Sequence, residues 1–215
     1  MHKLHRDPVP PACLARYQHG RDPWRMESPT GPERVEIWAK LNAMQGQRCA
    51  YCEAATVEGN RHIEHFHQRN GPHRYPQGTY AWDNLFGSCN RQETCGKYKD
   101  QCGGYAQTDL VKPDIEDPEA FLVFSPDGSV HPRANLSPAD RHRAAETIRI
   151  LNLNGVLRQI RYSEICGYVQ TAETFAEMAS HLDASEWLPL LQDELRQTEQ
   201  LPYATAIKHV LTRRV

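Results

Sequence analysis

The sequence predicts an α+β fold in which a small core of short elements, bracketed by cysteines, sits inside a mainly helical chain with one β-hairpin. Three observations carry this. Five of the seven cysteines (Cys49, Cys52, Cys89, Cys95 and Cys102) fall between positions 49 and 102. Between the Cys pairs lies a short His-rich stretch of strand character, residues 61–68. After Ser137-Pro138-Ala139-Asp140, apolar residues recur at helical spacing almost to the last residue.

Taken in order, residues 1–32 are rich in Pro and Gly and weakly periodic, which predicts an irregular arm with one helical turn near 14–17. From 33 to 44, Val35, Trp38, Leu41 and Met44 recur at helical spacing, and Gly46 is placed to end that helix. Residues 72–78 read as a loop, followed by a second short element carrying Trp82, Leu85 and Phe86 and a small helix near 96–101. Phe121-Leu-Val-Phe and Ser129-Val-His form a hairpin, with Pro126-Asp127-Gly128 supplying the turn. Ser137 caps the helical half, which breaks near Asn154, over 181–185 and at Pro202. The expected organisation is an arm over 1–32, a core with the hairpin over 33–135, and a helical region over 136–215.

The bulk numbers bound the function. No apolar run is long enough for a membrane span and the first residues lack a secretory h-region, so a cytoplasmic protein with no membrane partner is expected. With 25 Lys and Arg against 27 Asp and Glu, the net charge of -2 is a poor global footprint for gripping phosphates. Residues 42–110 hold seven cations, seven anions and four His, so any phosphate-binding surface is local or supplied by a partner.

Cys49-Ala-Tyr-Cys52 places two thiolates on one tight turn, and Cys89 with Cys95 can close a four-sulfur tetrahedral site on a structural Zn²⁺. The five residues between the second pair are a wide spacing, which leaves Cys102 or a nearby His as alternatives to Cys95. Four thiolates leave no open position for water, so the zinc is structural rather than catalytic. The competing reading is four reduced cysteines in a small core.

Arg61-His62-Ile63-Glu64-His65-Phe66-His67 supplies a base and a carboxylate side by side. Strand alternation sends Glu64 and His65 to opposite faces unless a bend lets both border one site, and it puts His67 on the face of His65. Phosphodiester hydrolysis needs a base to activate water and a cation to stabilise the developing charge, which a His beside a cation-holding carboxylate provides. His62-Ile63-Glu64 also imitates the H-x-E word of zinc deaminases, but there the C-x-x-C follows that word and here it precedes it. A non-catalytic zinc-ribbon binding module is the remaining rival.

These residues resemble the HNH endonuclease family, whose ββα-metal core carries an acidic residue and His on one strand, an Asn in the loop and a third ligand on the next helix. The resemblance implies that His65 is the general base, that Glu64 binds a catalytic Mg²⁺ or Mn²⁺, and that Asn84 in Trp82-Asp83-Asn84-Leu85 braces the loop and orients His65. It departs at the third ligand: Cys95 is followed by Gly96 and Lys97-Tyr98-Lys99-Asp100, where members place His or Asn with a Lys three residues later. Lys99 keeps that spacing. Asp100, one helical turn beyond Gly96, is the preferred ligand and Asn90 the competing one.

Within that family the chain is similar to the PtuB-like nuclease components of Septu-type and retron-associated anti-phage systems. The shared words run from Cys49-Ala-Tyr-Cys52-Glu53 through Ile63-Glu64-His65-Phe66 and Asp117-Pro118-Glu119 to Leu151-Asn152-Leu153-Asn154, covering roughly residues 45–161. What this implies is a defence effector acting on DNA or RNA beside an ABC/SMC-like ATPase, with a retron reverse transcriptase and its RNA–DNA hybrid as a further partner.

Overall fold

The computed structural model describes residues 1–70 and 74–213. It mixes helix with two small antiparallel strand pairs. Helix α1, Gly31–Gln45, starts two residues ahead of the sequence expectation because Thr30 and Glu33 form a capping box, and it ends at Gly46 in the left-handed region, φ 60. Its buried face is Ile37 and Leu41 with Gln45, whereas Val35 is 70% exposed. Ile37 takes the place that the spacing gave to Val35.

Strand β1, Arg61–His65, pairs with β2, Leu85–Cys89, setting His65 opposite Leu85 and Glu64 opposite Phe86. The pair is laid on α1 at Gly87, whose N–H donates to Gln45 Oε1 (2.8 Å) and whose carbonyl accepts from Gln45 Nε2 (2.9 Å). A Cβ at Gly87 would come within 2.7 Å of the Trp38 ring, so a side chain there would push the helix off the sheet. The strand ends at His65, short of the predicted 68, since Phe66 N–H turns to the Asn84 carbonyl. Helix α2 is the single turn Cys95–Lys99. Of the loop predicted over 72–78, residues 72 and 73 lie outside the described residues, and Pro76–Thr79 is a 3-10 turn.

The second hairpin joins β3, Leu122–Phe124, to β4, Val130–Pro132. Asp127 Oδ1 accepts from Ser129 N (3.0 Å) and Oγ (2.6 Å) to build the turn. The hairpin packs on α3, Pro138–Ile150, and α6, Ala204–Leu211. Between α3 and α4, Val156–His181, Asn154 brackets Val130 through both its backbone groups at 2.8 Å. Helix α5, Ala184–Thr198, opens with an Asp183/Glu186 capping box and buries Trp187 and Leu191 while Leu190 stays exposed. No described helix is long and apolar enough to cross a membrane.

One apolar core runs from Cys49, Tyr51 and Phe86 through Leu122 to Leu157, Ile165 and Leu211. A second joins Cys13 and Leu14 of the arm to Ile37, Leu41, Ile63, Trp82 and Leu85, so the arm is packed onto the β1–β2 pair. Arg161, 1% exposed, crosses beneath the hairpin, donating to the carbonyls of Gly128 and Leu153 with its guanidinium 4.9 Å from the Phe124 ring centre. Gly128 sits at φ 78, and a Cβ there would lie 2.1 Å from the Arg158 carbonyl oxygen. Gly128→Ala therefore combines left-handed strain with a backbone clash and is expected to cost about 1–3 kcal/mol. Urea unfolding would show it, and an unchanged midpoint would remove this turn as the anchor of the helical half.

Candidate functional site

Two arrangements meet at α2, whose first residue is Cys95 and whose last is Lys99. The first is the cysteine cluster: the ligand atoms of Cys49, Cys52, Cys89 and Cys95 lie within 4.8 Å of one another, all buried. The Cys49–Cys52 turn is closed by Cys49 N–H to the Ala54 carbonyl (2.8 Å) and Glu53 N–H to the Cys49 carbonyl (3.0 Å). Cys89 is the last residue of β2 and Cys95 the first of α2. Cys102 stands outside the cluster, its thiol donating to the Lys99 carbonyl at 3.4 Å, and no His enters it among the described residues.

The cluster fits zinc. Tetrahedral Zn–S bonds of about 2.3 Å set neighbouring sulfurs about 3.8 Å apart, and Cys52 Sγ lies 3.8 Å from Cys89 Sγ. Burial opposes charge on Cys49, yet hydrogen bonds from the other three thiols hold it well below its usual value. The hydrogen bonds with Cys49 and Cys89 in turn leave Cys52 well above its own, and burial does the same for Cys95. Four buried sulfurs at this spacing are a site for a divalent cation that stabilises them all as thiolates.

The second arrangement is a cavity of about 680 Å³ whose wall includes Glu64, His65, Lys97 and Asp100. Both members of the Glu64-His65 pair border it, as does every residue of β1 from Arg61 onward. The His65 ring, 7% exposed, has Nε2 2.9 Å from the Thr79 carbonyl and stands edge-on to Trp24 with ring centres 4.6 Å apart. A carbonyl only accepts, so Nε2 carries the proton and Nδ1 the lone pair. Burial, helped by Arg69, lowers the His65 pKa to about 4, so the imidazole is neutral at neutral pH.

Asn84, 1% exposed, clamps the loop that carries this carbonyl. Its Oδ1 accepts from His67 N (2.7 Å), and its Nδ2 donates to the carbonyls of His67 (3.1 Å) and Gly78 (3.0 Å). Gly78 precedes Thr79, so Asn84 reaches His65 through one peptide unit. His67, expected on the face of His65, lies outside the cavity wall and packs on Phe66 and Tyr75, because strand alternation has ended by that point. Asn90 is exposed at the far end of β2 with its N–H on the Asn60 carbonyl, so it does not reach Glu64.

Glu64 is buried and held by two bases. Lys99 Nζ lies 2.8 Å from Oε1 and His62 Nε2 3.0 Å from Oε2. Burial disfavours its charge, but Lys99 and His62 outweigh this and bring its pKa to about 2. Lys99, with no exposed side-chain surface, also meets Asp100 Oδ1 (2.9 Å) and the His65 carbonyl (3.1 Å). Gly96 makes room for this: a Cβ there would lie 2.3 Å from Glu64 Oε2.

The oxygens that would bind a catalytic Mg²⁺ or Mn²⁺ thus already hold the Lys99 ammonium, and Gly96 removes the side chain that would have added a ligand. Among the described residues, no cluster of three or more candidate His, Cys, Asp or Glu ligands exists apart from the four cysteines. A divalent ion does not fit beside Lys99 as the groups stand. Lys99, notable in the sequence only for its spacing, is fully buried against Glu64, the carboxylate for which Gly96 makes room. Trp24, from an aperiodic arm, carried no sequence signal at all.

By fold and site, the chain is an α+β protein with a four-cysteine cluster beside a basic pocket holding a His and a buried Glu. It is 26% identical over 119 residues to a protein of Vibrio cholerae serotype O1 biovar El Tor described as "Retron Vc95 putative HNH endonuclease", a match covering 54% of this chain and 56% of that protein. The chain therefore spans about half the length of the relative it matches. No family model matches. This distant likeness supports an HNH-type nuclease.

Two outcomes follow from the geometry. Cys49→Ser is expected to lose most of the bound zinc by elemental analysis and to lower the melting temperature sharply; a variant that keeps one equivalent of zinc and the parent melting temperature would discard the cluster as a structural site. Lys99→Met leaves Glu64 facing Asp100 without a cation, expected to cost about 3–5 kcal/mol. Millimolar Mn²⁺ should restore part of that stability in the variant and none in the parent. Equal response of both proteins would show that Lys99 does not occupy the cation position.

Proposed function

We propose that this chain is an HNH-type endonuclease in which His65 activates the attacking water. The observation that supports this reading best is the pinning of His65 Nε2 to the Thr79 carbonyl, which leaves a neutral, lone-pair-bearing Nδ1 in a pocket lined by cations. Water gives a proton to Nδ1 as its oxygen bonds to phosphorus, the P–O bond to the leaving 3′-oxygen breaks, and that oxygen takes a proton from solvent. Arg61, Arg69 and Lys97 on the pocket wall stabilise the charge that builds on the phosphoryl oxygens. Glu64, Lys99 and His62 form the buried ionic floor, and Asn84 acts as a positioning residue for the loop that holds His65.

These steps use the chain's own groups. The family resemblance implies Mg²⁺ or Mn²⁺ with Glu64 and Asp100 as ligands, and such an ion enters only by displacing Lys99. The structural cation is Zn²⁺ at Cys49, Cys52, Cys89 and Cys95. We place the enzyme in an anti-phage defence system with an ATPase partner and, given the retron in the relative's description, a reverse transcriptase with its RNA–DNA hybrid.

Incubating plasmid DNA, single-stranded DNA and total tRNA with the parent and His65→Ala, with Mg²⁺, Mn²⁺ or EDTA and with or without the ATPase, tests the reading. Removal of the base should lower cleavage by roughly 10²–10⁴-fold with zinc content and melting temperature retained. Cleavage independent of His65 under every condition would leave the non-catalytic zinc-ribbon module as the better account.

A further inference from the structure

The cavity's cations are set up in an unusual way for a chain of net charge -2. Arg34, Arg61, Arg69 and Lys97 line it, and none of the four takes part in an ion pair among the described residues, although carboxylates elsewhere on the surface are paired repeatedly. Three of them are held by tryptophans. The Arg61 guanidinium carbon lies 4.2 Å from the Trp38 ring centre, and those of Arg34 and Arg69 lie 5.3 and 6.0 Å from the Trp24 ring centre. A guanidinium fixed on an aromatic face offers a flat cationic plane to a base. Arg61 and Arg69 each give one long hydrogen bond to a backbone carbonyl and keep their other donors for phosphate, whereas Arg34 donates to the carbonyls of Pro29 and Arg25.

Access is the second consideration. His65 is 7% exposed, with Trp24 against its edge. A cavity of about 680 Å³ is a small-ligand volume, room for roughly one or two nucleotides. The phosphates of a paired duplex stand on the surface of a stiff rod, and its major groove alone is about 12 Å wide. A base recessed behind an indole meets a phosphate only when the strand leaves the rod and enters the cavity. Aromatic side chains interleaved with cations in a recess are the chemistry that receives single strands.

Resting on the nuclease reading, we infer that the strand cut by this chain is unpaired at the scissile phosphate, a single strand or a loop drawn into the pocket, with Arg61 and Arg69 holding neighbouring phosphates. Ribose and deoxyribose strands share this chemistry.

The test uses one sequence prepared as a single strand, a stem-loop and a perfect duplex, each as DNA and as RNA. Binding is followed by fluorescence anisotropy with zinc-loaded His65→Ala, which leaves the oligonucleotide uncut, and cleavage is mapped with the parent. Unpaired forms should bind at least tenfold more tightly than the duplex, with cuts confined to loops; the DNA and RNA arms show which sugar is taken. Arg61→Gln and Arg69→Gln should each weaken the unpaired strand several-fold, flatten its salt dependence and keep the melting temperature. Duplex bound as tightly as single strand, or cut within the paired stem, overturns the inference and leaves the nuclease standing. His65-independent cleavage, or no binding and no cleavage of any form, overturns both.

Discussion

Four buried sulfurs meeting at the junction of β2 and α2 are the constraint on which the site depends. The elements they join are five residues each, too short to persist alone. Cys89 ends β2 and Cys95 starts α2, so closing the cluster fixes where the first turn of α2 stands relative to the sheet. That turn carries Gly96 and Lys99, and the sheet carries Glu64 and His65. Metal binding of this kind contributes on the order of 10 kcal/mol in small zinc modules, enough to hold an ionic pocket that five-residue elements could not. Glu53 extends the tie outward, its carboxylate accepting from Thr205 N (2.9 Å) and Oγ1 (2.5 Å) at the start of α6.

The buried Lys99–Glu64 pair is better understood as a device for placement than for stability. Removing two charges from water costs more than a lone contact returns, and such pairs are often no more stabilising than an apolar substitute. What the pair fixes is direction. Lys99 touches Glu64, Asp100 and the His65 carbonyl at once, so one ammonium sets the relative positions of three residues from two elements. The missing side chain at Gly96 is what lets the carboxylate lie against α2.

Much of this was legible in the sequence because it is local. The Cys-x-x-Cys turn, the stop at Gly46, the Pro126-Asp127-Gly128 turn and the helix breaks near Asn154 and Pro202 each depend on residues within a few positions of one another. Asn84 was implied by resemblance as the brace of the loop, and its side chain joins His67 to Gly78. What stayed hidden is non-local. Val35 and Ile37 are equally apolar, and only the position of the sheet decides which is covered. His67 keeps the two-residue spacing of a strand that has already ended. Asn90 follows a cluster cysteine, but on a segment that leaves the site. Trp24 sits in a Pro- and Gly-rich arm whose packing against His65 no periodicity announces.

Net charge is non-local in the same sense, which is why the sequence could say only that a phosphate-binding surface is local or supplied by a partner. A total of -2 counts every side chain equally, yet charges more than about 8 Å from a phosphate are screened at physiological salt. Several acids are engaged by cations that do not line the cavity: Asp114 by Arg6, Glu116 by Arg143, Glu119 by Lys208. Arg34 and Arg69 are left near each other around Trp24, where burial and their mutual repulsion lower the pKa of Arg34. Neither has an ion-pair partner among the described residues, so an anion arriving from outside would stabilise both on the proposed reading. The walls of a recess concentrate that field, so the inferred strand would need local cations around His65 rather than a positive net charge on the chain.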